Sequence, residues 1–370
     1  MNRRAKRIIS TYACDTSGGP SALYELGGLS VIHDASGCNS TYTTHDEPRW
    51  YDMPSSVAIT GLCEIDAVMG NDQKIIDDIE STVQARHPRF VSITSTPVPY
   101  VMGTDLDAVA SIVEKQTGIP SWYCPSNGMH PYSVTVQSAI ENYARRFILR
   151  SGKSKDFSVN LVGITPLDFI SQKRVDSIKA FFESEGIRVN STLAMGDSIE
   201  MIEKASEAHL ELACSFAGIG ICRFMEKQYG IPFIAGLPYG KAQSIALVRA
   251  IKLKEKMPIH VSKGIGTVAI IGDCVQNHSI LNNLQDFRHI SITPCGGESD
   301  EDIITDGEEE IAALLHDADW VIADPLYKPI VPEGCGFVSY PHFAFSGRMF
   351  ENNENDPVYE GLEKLLEALK

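Results

Sequence analysis

From Ser56 onward the chain alternates short runs of β-branched and other apolar residues with longer segments whose apolar positions recur every three to four residues. This is the pattern of βα units on parallel sheets. In the first stretch Leu29–Ile32, Val57–Thr60, Phe90–Thr94 and Ile119–Cys124 read as strands. Asp72–Arg86, with Ile75, Ile76, Ile79 and Val83 on one face, reads as a helix, as do Asp105–Gln116 and Tyr132–Leu149. The polar, glycine-bearing run Arg150–Asp156 reads as a linker. A second stretch repeats the alternation, with strands Val159–Ile164, Ile187–Thr192, Leu210–Ala213 and Ile231–Ala235. Its helices are Ser171–Ser184, Ser198–Ala205, Ala217–Tyr229 and Lys241–Glu255, the last stopped by Met257-Pro258. The third stretch opens on Thr267–Gly272, whose unbroken apolar character suits a strand buried on both faces. Strands Ile290–Thr293, Trp320–Ala323 and Gly336–Tyr340 follow, with helices Ser279–Gln285, Gly307–Leu315 and Pro357–Leu369. The fold class expected is α/β, with three Rossmann-like doubly wound domains of parallel sheet around a central cleft. The boundaries expected are 1–155, 156–262 and 263–370, with the terminal helix packing back on the third domain.

Composition narrows the function classes. With 370 residues, 43% of them hydrophobic, the chain can bury a large core, and a net charge of −16 disfavours nucleic-acid phosphates and anionic membranes. No run of about 18 apolar residues occurs, and the basic start MNRRAKRIIS lacks a following apolar core, so a cytoplasmic location is expected. There the glycosylation sequons at Asn39 and Asn190 carry no meaning. Nine scattered cysteines form no short-domain framework, so reduced thiols or metal ligands are expected rather than disulfides.

In parallel sheets ligands collect beyond the carboxyl ends of strands. Cys14 sits ahead of a glycine-rich turn and a short helical run, and Cys38 ends the turn Asp34-Ala35-Ser36-Gly37 after the first strand. Loops at element ends let a backbone approach a ligand closely, and Gly and Ser neighbours leave N–H groups to donate to cluster sulfur. By spacing alone the two thiols match no self-sufficient zinc pattern and read as buried thiols, with His33 a satisfied core histidine. Between Cys38 and the next strand, Thr43–Asp52 concentrates His45, Asp46, Glu47, Arg49 and Trp50. One reading is a solvated loop. The other makes His45, Asp46 or Glu47 proton donors to a reducible substrate, with Arg49 or Trp50 holding its carboxylate or ring. Gly264-Ile265-Gly266 precedes its strand and is no dinucleotide fingerprint, and no phosphate loop occurs, so the chain itself should bind no nucleotide.

These residues resemble a known family. Cys14 with its glycines, then His33-x-x-x-Gly37-Cys38, Glu64-x-Asp66-x-x-x-Gly70, and Thr96-Pro97 through Gly103-Thr104-Asp105 are similar to the nitrogenase component 1 type proteins. So are Cys214 through Arg223 and on to Gly230-Ile231-Pro232, Gly272-Asp273, and Ala318–Ile322, so the resemblance spans almost the whole chain. It implies that Cys14 and Cys38 hold an iron–sulfur cluster, 4Fe-4S in type. It also implies that Cys214 falls where nitrogenase anchors its cofactor. An ATP-dependent partner similar to the nitrogenase iron protein would deliver electrons to a small-molecule substrate. Pro97 stands where the family commonly has a third cysteine, so the missing ligands are expected from Cys63 or from a second subunit, in a homodimer or heterodimer. The cofactor histidine of nitrogenase has no evident counterpart, because Phe350 falls near its place. Cys124, Cys222, Cys274, Cys295 and Cys335 are expected to be structural. The reading is an electron-accepting catalytic subunit of a two-component reductase. The alternatives are an assembly scaffold for a metal cluster or cofactor and a degenerate paralogue.

Overall fold

The computed structural model describes residues 5–37, 42, 47–255, 257, 264, 266–353 and 356–369. Its strands form three sheets, every one parallel throughout. The first is built from β1 (Leu29–His33), β2 (Ser56–Ile59), β3 (Val91–Ser95) and β4 (Ser121–Tyr123) in the order β2-β1-β3-β4. The middle one orders β5 (Ser158–Val162), β6 (Arg188–Ser191), β7 (Leu210–Ala213) and β8 (Phe233–Ala235) as β6-β5-β7-β8. The third adds a strand. Its β9 (Thr267–Ile271), β10 (Arg288–Ile292), β11 (Asp302–Ile303), β12 (Trp320–Ala323) and β13 (Gly336–Ser339) run β11-β10-β9-β12-β13. In each sheet the strand that comes first in the chain lies inside and the order reverses beside it, which opens a crevice at the carboxyl ends.

The crossovers in the first unit are α1 (Asp15–Leu23), α2 (Glu64–Met69), α3 (Asp72–Arg86), α4 (Pro97–Met102), α5 (Leu106–Thr117) and α6 (Ser133–Phe147). Those of the middle unit are α7 (Pro166–Phe169), α8 (Gln172–Ser184), α9 (Ile199–Glu203), α10 (Phe216–Tyr229) and α11 (Lys241–Leu253). The third unit carries α12 (Cys274–Leu281), α13 (Glu308–Leu314), α14 (Phe343–Ser346) and α15 (Glu360–Leu365). Helix α3 spans the expected residues and buries the expected stripe of Ile75, Ile76, Ile79 and Val83. Two elements differ for a local reason. Helix α12 starts five residues before its expected position, because Asp273 accepts from the amides of Val275 and Gln276 and caps it directly after β9. The C-terminal helix is broken into α15 and a 3₁₀ turn at Glu367–Leu369, with Leu362 and Leu366 buried.

Helix α1 is buried along its whole length and packs across α6. A Cβ on Gly18 would sit 2.1 Å from the Tyr132 carbonyl oxygen, so only glycine permits this approach. The contact presses the segment that carries Cys14 onto the loop after β4. Among the described residues no helix is long and apolar enough to cross a membrane.

Candidate functional site

Two places bring chemistry-bearing residues to the carboxyl ends of strands. The first is the rim of the first sheet. Cys14 is the N-cap residue of α1 and makes an antiparallel bridge with Pro131. Asp15, fully buried, accepts from the amides of Asn127 and Gly128 at 3.1 and 2.6 Å and faces His130 Nδ1 at 3.1 Å. Thr16 Oγ1 donates to the Ser95 carbonyl at the end of β3. Cys14 is therefore clamped between the start of α1 and the turn 127–131. Pro97, at the first position of α4, packs on the same turn: its Cδ lies 2.8 Å from where a Cβ of Gly128 would be, and Gly128 has φ +75°. Proline costs nothing there, since the first helical N–H has no intrahelical partner.

Cys63 lies on this rim too. The Leu62 amide donates to the Asp34 carbonyl at 2.8 Å, and Asp34 Oδ1 accepts from Thr96 Oγ1 at 2.7 Å, which ties the loops after β1, β2 and β3 together. Cys63 caps α2, is exposed, and its thiol donates to Asp66 Oδ2 at 3.0 Å. His33 Nδ1 lies 2.7 Å from Thr60 Oγ1, while its Nε2 is buried with no hydrogen-bond partner among the described residues. Burial lowers the affinity of that ring for a second proton, against the pull of Asp72 and Asp34. Around these groups α2 and α4 expose Ile65, Val68, Met69, Tyr100 and Val101, with Val68 84% exposed. Cys38, His45 and Asp46 lie outside the described residues.

Glu47 and Arg49 are described, and the structure places them against α1. Arg49 Nε and Nη2 donate to Glu47 at 2.7 and 2.8 Å, Nη1 donates to Glu25 at 2.7 Å, and Nη2 reaches the Ser21 carbonyl at 2.7 Å. Its guanidinium lies over the Tyr24 ring, and Trp50 packs edge-on to the same ring. Glu47 is fully buried and also accepts from Ser21 Oγ. A guanidinium so occupied has no fork left for a substrate carboxylate, and the Glu47 carboxylate is already engaged by Arg49 and Ser21. These two residues lock the loop onto α1. Arg348 joins them by donating to the Glu47 carbonyl at 2.9 Å.

The second place is where the three sheets meet. Asp168 after β5, Asp273 after β9, Asp324 after β12 and His342 after β13 are all buried, and Tyr132 of the first unit reaches them. Tyr132 donates a short hydrogen bond to Asp168 Oδ1, and His342 Nε2 lies 3.4 Å from the same oxygen, an ion-pair separation without hydrogen-bond geometry. Asp273 Oδ2 accepts from the Phe216 amide at 2.7 Å. Asp324 accepts from the His342 amide and Ser346 Oγ at 2.8 and 2.7 Å. Gln276 bridges the Asp168 carbonyl and Tyr340. Burial and the neighbouring Asp168 charge push the Asp273 carboxyl up, partly offset by the Phe216 amide. Residue spacing points to Phe350, whereas the histidine at this junction is His342. The usable signal is positional: Asp273, Asp324 and His342 each stand within three residues of a strand end.

Cys214 ends β7 beside this junction with no exposure at all, and its thiol donates to the Leu212 carbonyl at 3.3 Å. It belongs to an apolar cluster with Leu161, Leu212 and Leu247, and burial pushes its thiol far up. A ligand must be a thiolate with room beside it, and the sealed Cys214 thiol lacks that room. The rim fits better. Cys14 at the positive end of a nine-residue helix, and an exposed Cys63, have the donor chemistry an anionic iron–sulfur cluster needs. Among the described residues no three His, Cys, Asp or Glu side chains already stand at metal-holding positions.

Three all-parallel doubly wound sheets define a Rossmann-like class of α/β protein. Within that class the model of the nitrogenase component 1 type oxidoreductases matches residues 14–261, and the chain belongs to that family. It is 25% identical over 193 residues to one of the subunits of the light-independent protochlorophyllide reductase of Nostoc punctiforme, covering 50% of this chain and 38% of that protein. It is 23% identical over 288 residues to the nitrogenase iron-molybdenum cofactor biosynthesis protein NifE of Clostridium pasteurianum, covering 70% of this chain and 62% of that one. To the nitrogenase molybdenum-iron protein alpha chain of the same organism it is 30% identical over 184 residues, covering 47% and 33%. The matched segments thus span between a third and just under two thirds of these relatives. A solved structure described as nitrogenase Cp1 at pH 6.5 superposes with a TM-score of 0.72 at 14% identity, covering 100% of this chain and 94% of the other. The family contains both oxidoreductase subunits and a cofactor-biosynthesis protein.

Proposed function

We propose that this chain is the electron-accepting subunit of a nitrogenase-like two-component reductase, with an iron–sulfur cluster held at the first-sheet rim between two subunits. Cys14 and Cys38 are the thiolates assigned to that cluster, with Cys63 the alternative source of a further ligand. The observation that carries the reading is the rim itself: Cys14 and Cys63 on strand-end loops, Pro97 in the third cysteine's place, and exposed apolar side chains of α2 and α4 beside them. One chain then supplies part of a ligand set. A two-fold partner completes a 4Fe-4S cube, and the apolar rim is covered on assembly. When bound, the cluster supplies one-electron transfer. The chain's own part is to hold Cys14 between the start of α1 and the turn 127–131. The loop after Cys38, with His45 and Asp46, is the assigned source of protons for a small-molecule substrate. Electrons come from an ATP-dependent reductase resembling the nitrogenase iron protein, and the chain works in the cytoplasm.

Two observations favour a second reading. The junction beside Cys214 is filled by hydrogen-bonded side chains, and the match to the cofactor-biosynthesis protein runs over 288 residues, so a scaffold that assembles a cluster and passes it on is the rival. Anaerobic purification with iron and sulfide assays, electron paramagnetic resonance and light-scattering mass separates them. About two irons per chain in a dimer, retained through turnover with the reduced partner protein, supports the reductase. Iron released to an apo-acceptor supports the scaffold, and a monomer carrying a full cluster sinks the shared site.

A further inference from the structure

Between the middle and third sheets lies a cavity of about 460 Å³, within the range of small-molecule sites. It opens at the carboxyl ends of β8 and β9, and neither Cys14, Cys63 nor Cys214 lines it. We propose that this cavity is a binding site for a neutral or cationic, ring-bearing small molecule that presents an N–H or O–H donor to His278. The proposal stands independently of the cluster at the first-sheet rim.

The inner wall is apolar, formed by Ile219, Ile234 and Val275, all buried, with Phe233 beside them. Its polar groups are the carboxylates of Glu226 and Glu298, the His278 ring, the amides of Gln243 and Asn282, and the hydroxyls of Ser279 and Ser299. His278 Nε2 lies 2.8 Å from Asp302 Oδ1, and Asp302 also accepts from Ser291 Oγ and from the amides of Glu298 and Ser299. Burial raises the Asp302 carboxyl, but the His278 contact and those amides outweigh it and hold the group down at about 2. An ionised carboxylate cannot donate, so Nε2 carries the proton, and a neutral His278 is left with Nδ1 as an acceptor on a cavity-lining residue. Deeper in, Asn282 Nδ2 donates to Gln243 Oε1 at 2.8 Å, which leaves the Asn282 oxygen for a second donor. Gly236 lies against this amide: a Cβ there would be 3.1 Å from Gln243 Nε2. At the mouth stand Glu226 and Glu298, and no lysine or arginine lines the cavity among the described residues. Arg223, outside the cavity, spends its contacts on Glu298 at 2.5 and 2.7 Å. A carboxylate or phosphate ligand would meet the like charge of Glu226 at the mouth and, among the described residues, no cation in the lining. A flat ring satisfies the wall, and a donor or ammonium satisfies the rim.

The test uses the full chain, as purified anaerobically and as Cys14→Ala, with tryptamine, indole and indole-3-acetate as probes of one ring system and three charges. Saturation-transfer NMR and calorimetry read the affinities. Tryptamine is expected to bind most tightly and indole-3-acetate at least about tenfold more weakly than tryptamine. His278→Ala should weaken tryptamine and indole together by about fivefold. Val275→Trp should abolish binding by filling the cavity. Should that buried change prevent folding, Glu226→Lys, at an exposed position, keeps the test open by shifting preference toward indole-3-acetate. Binding unchanged in Cys14→Ala separates this site from the cluster. Absence of binding by all three probes at millimolar concentration overturns the proposal, as does an affinity order that Glu226→Lys and His278→Ala leave untouched.

Discussion

The first-sheet rim and the three-sheet junction are built on one rule and end in opposite states. Both gather residues that stand just past parallel strands. At the junction every carboxylate is answered: Asp168 by Tyr132, Asp273 by backbone amides, Asp324 by an amide and Ser346. At the rim the answers stop short. Cys63 is exposed, α2 and α4 show apolar faces to solvent, and a proline occupies the position that resembles a ligand site. A closed set of partners holds domains together, whereas an open set leaves capacity for something brought from outside.

Four measurements press on that contrast. The largest effect belongs to iron: Cys14→Ala or Cys38→Ala should lose most of the iron bound after anaerobic purification, while Cys214→Ala keeps it. Equal iron in all three variants would erase the distinction between the two places. Next, Arg49→Met removes the cation between Glu47 and Glu25 and strands buried charge, so unfolding should weaken by about 3–5 kcal/mol in chemical denaturation. A change below about 1 kcal/mol would mean that the pair is not holding the loop. At the junction, Tyr132→Phe deletes one hydroxyl and leaves Asp168 short of a donor, an expected loss of about 1–3 kcal/mol without loss of iron.

The smallest effect is a pH slope next to the junction. Glu211, three residues before Cys214, is buried with Asn160 Nδ2 at 3.0 Å, and burial pushes its carboxyl up to about 8 against that hydrogen bond. Its folded value is raised, so the fold prefers the protonated form. The contribution is full below the ordinary carboxyl range near 4.5 and is lost as pH rises through about 8. Thermal unfolding should therefore fall across this window by up to about 1 kcal/mol per pH unit, and Glu211→Gln should flatten the slope. An unchanged slope in that variant would place the titration elsewhere.

Much of this was legible along the chain, and for definite reasons. The α3 stripe and the strands at Leu210–Ala213 and Trp320–Ala323 follow from periodicity and β-branching, which act over a few residues. The start of α12 was not, because a cap by Asp273 outweighs the apolar pattern that begins later. Glu47 and Arg49 read as a substrate-facing pair, since sequence shows their charges but not that Glu25, Ser21 and Tyr24 of α1 and its flank surround them. Cys214 was legible as a strand end and illegible as a sealed one, because its sealing residues come from the long-range apolar cluster around it.

By itself the sequence determined three runs of βα units, the family likeness, and the loops on which Cys14, Cys38 and Cys63 sit, because each depends on local pattern or on motif order. Only the tertiary structure decided which strand ends meet. It brought Tyr132, Asp168, Asp273, Asp324 and His342 into one buried set from positions 210 residues apart between Tyr132 and His342, and left the first-sheet rim open. The physical reason is that charge pairing and burial are properties of a place in space, and the chain reaches that place only after its sheets have packed.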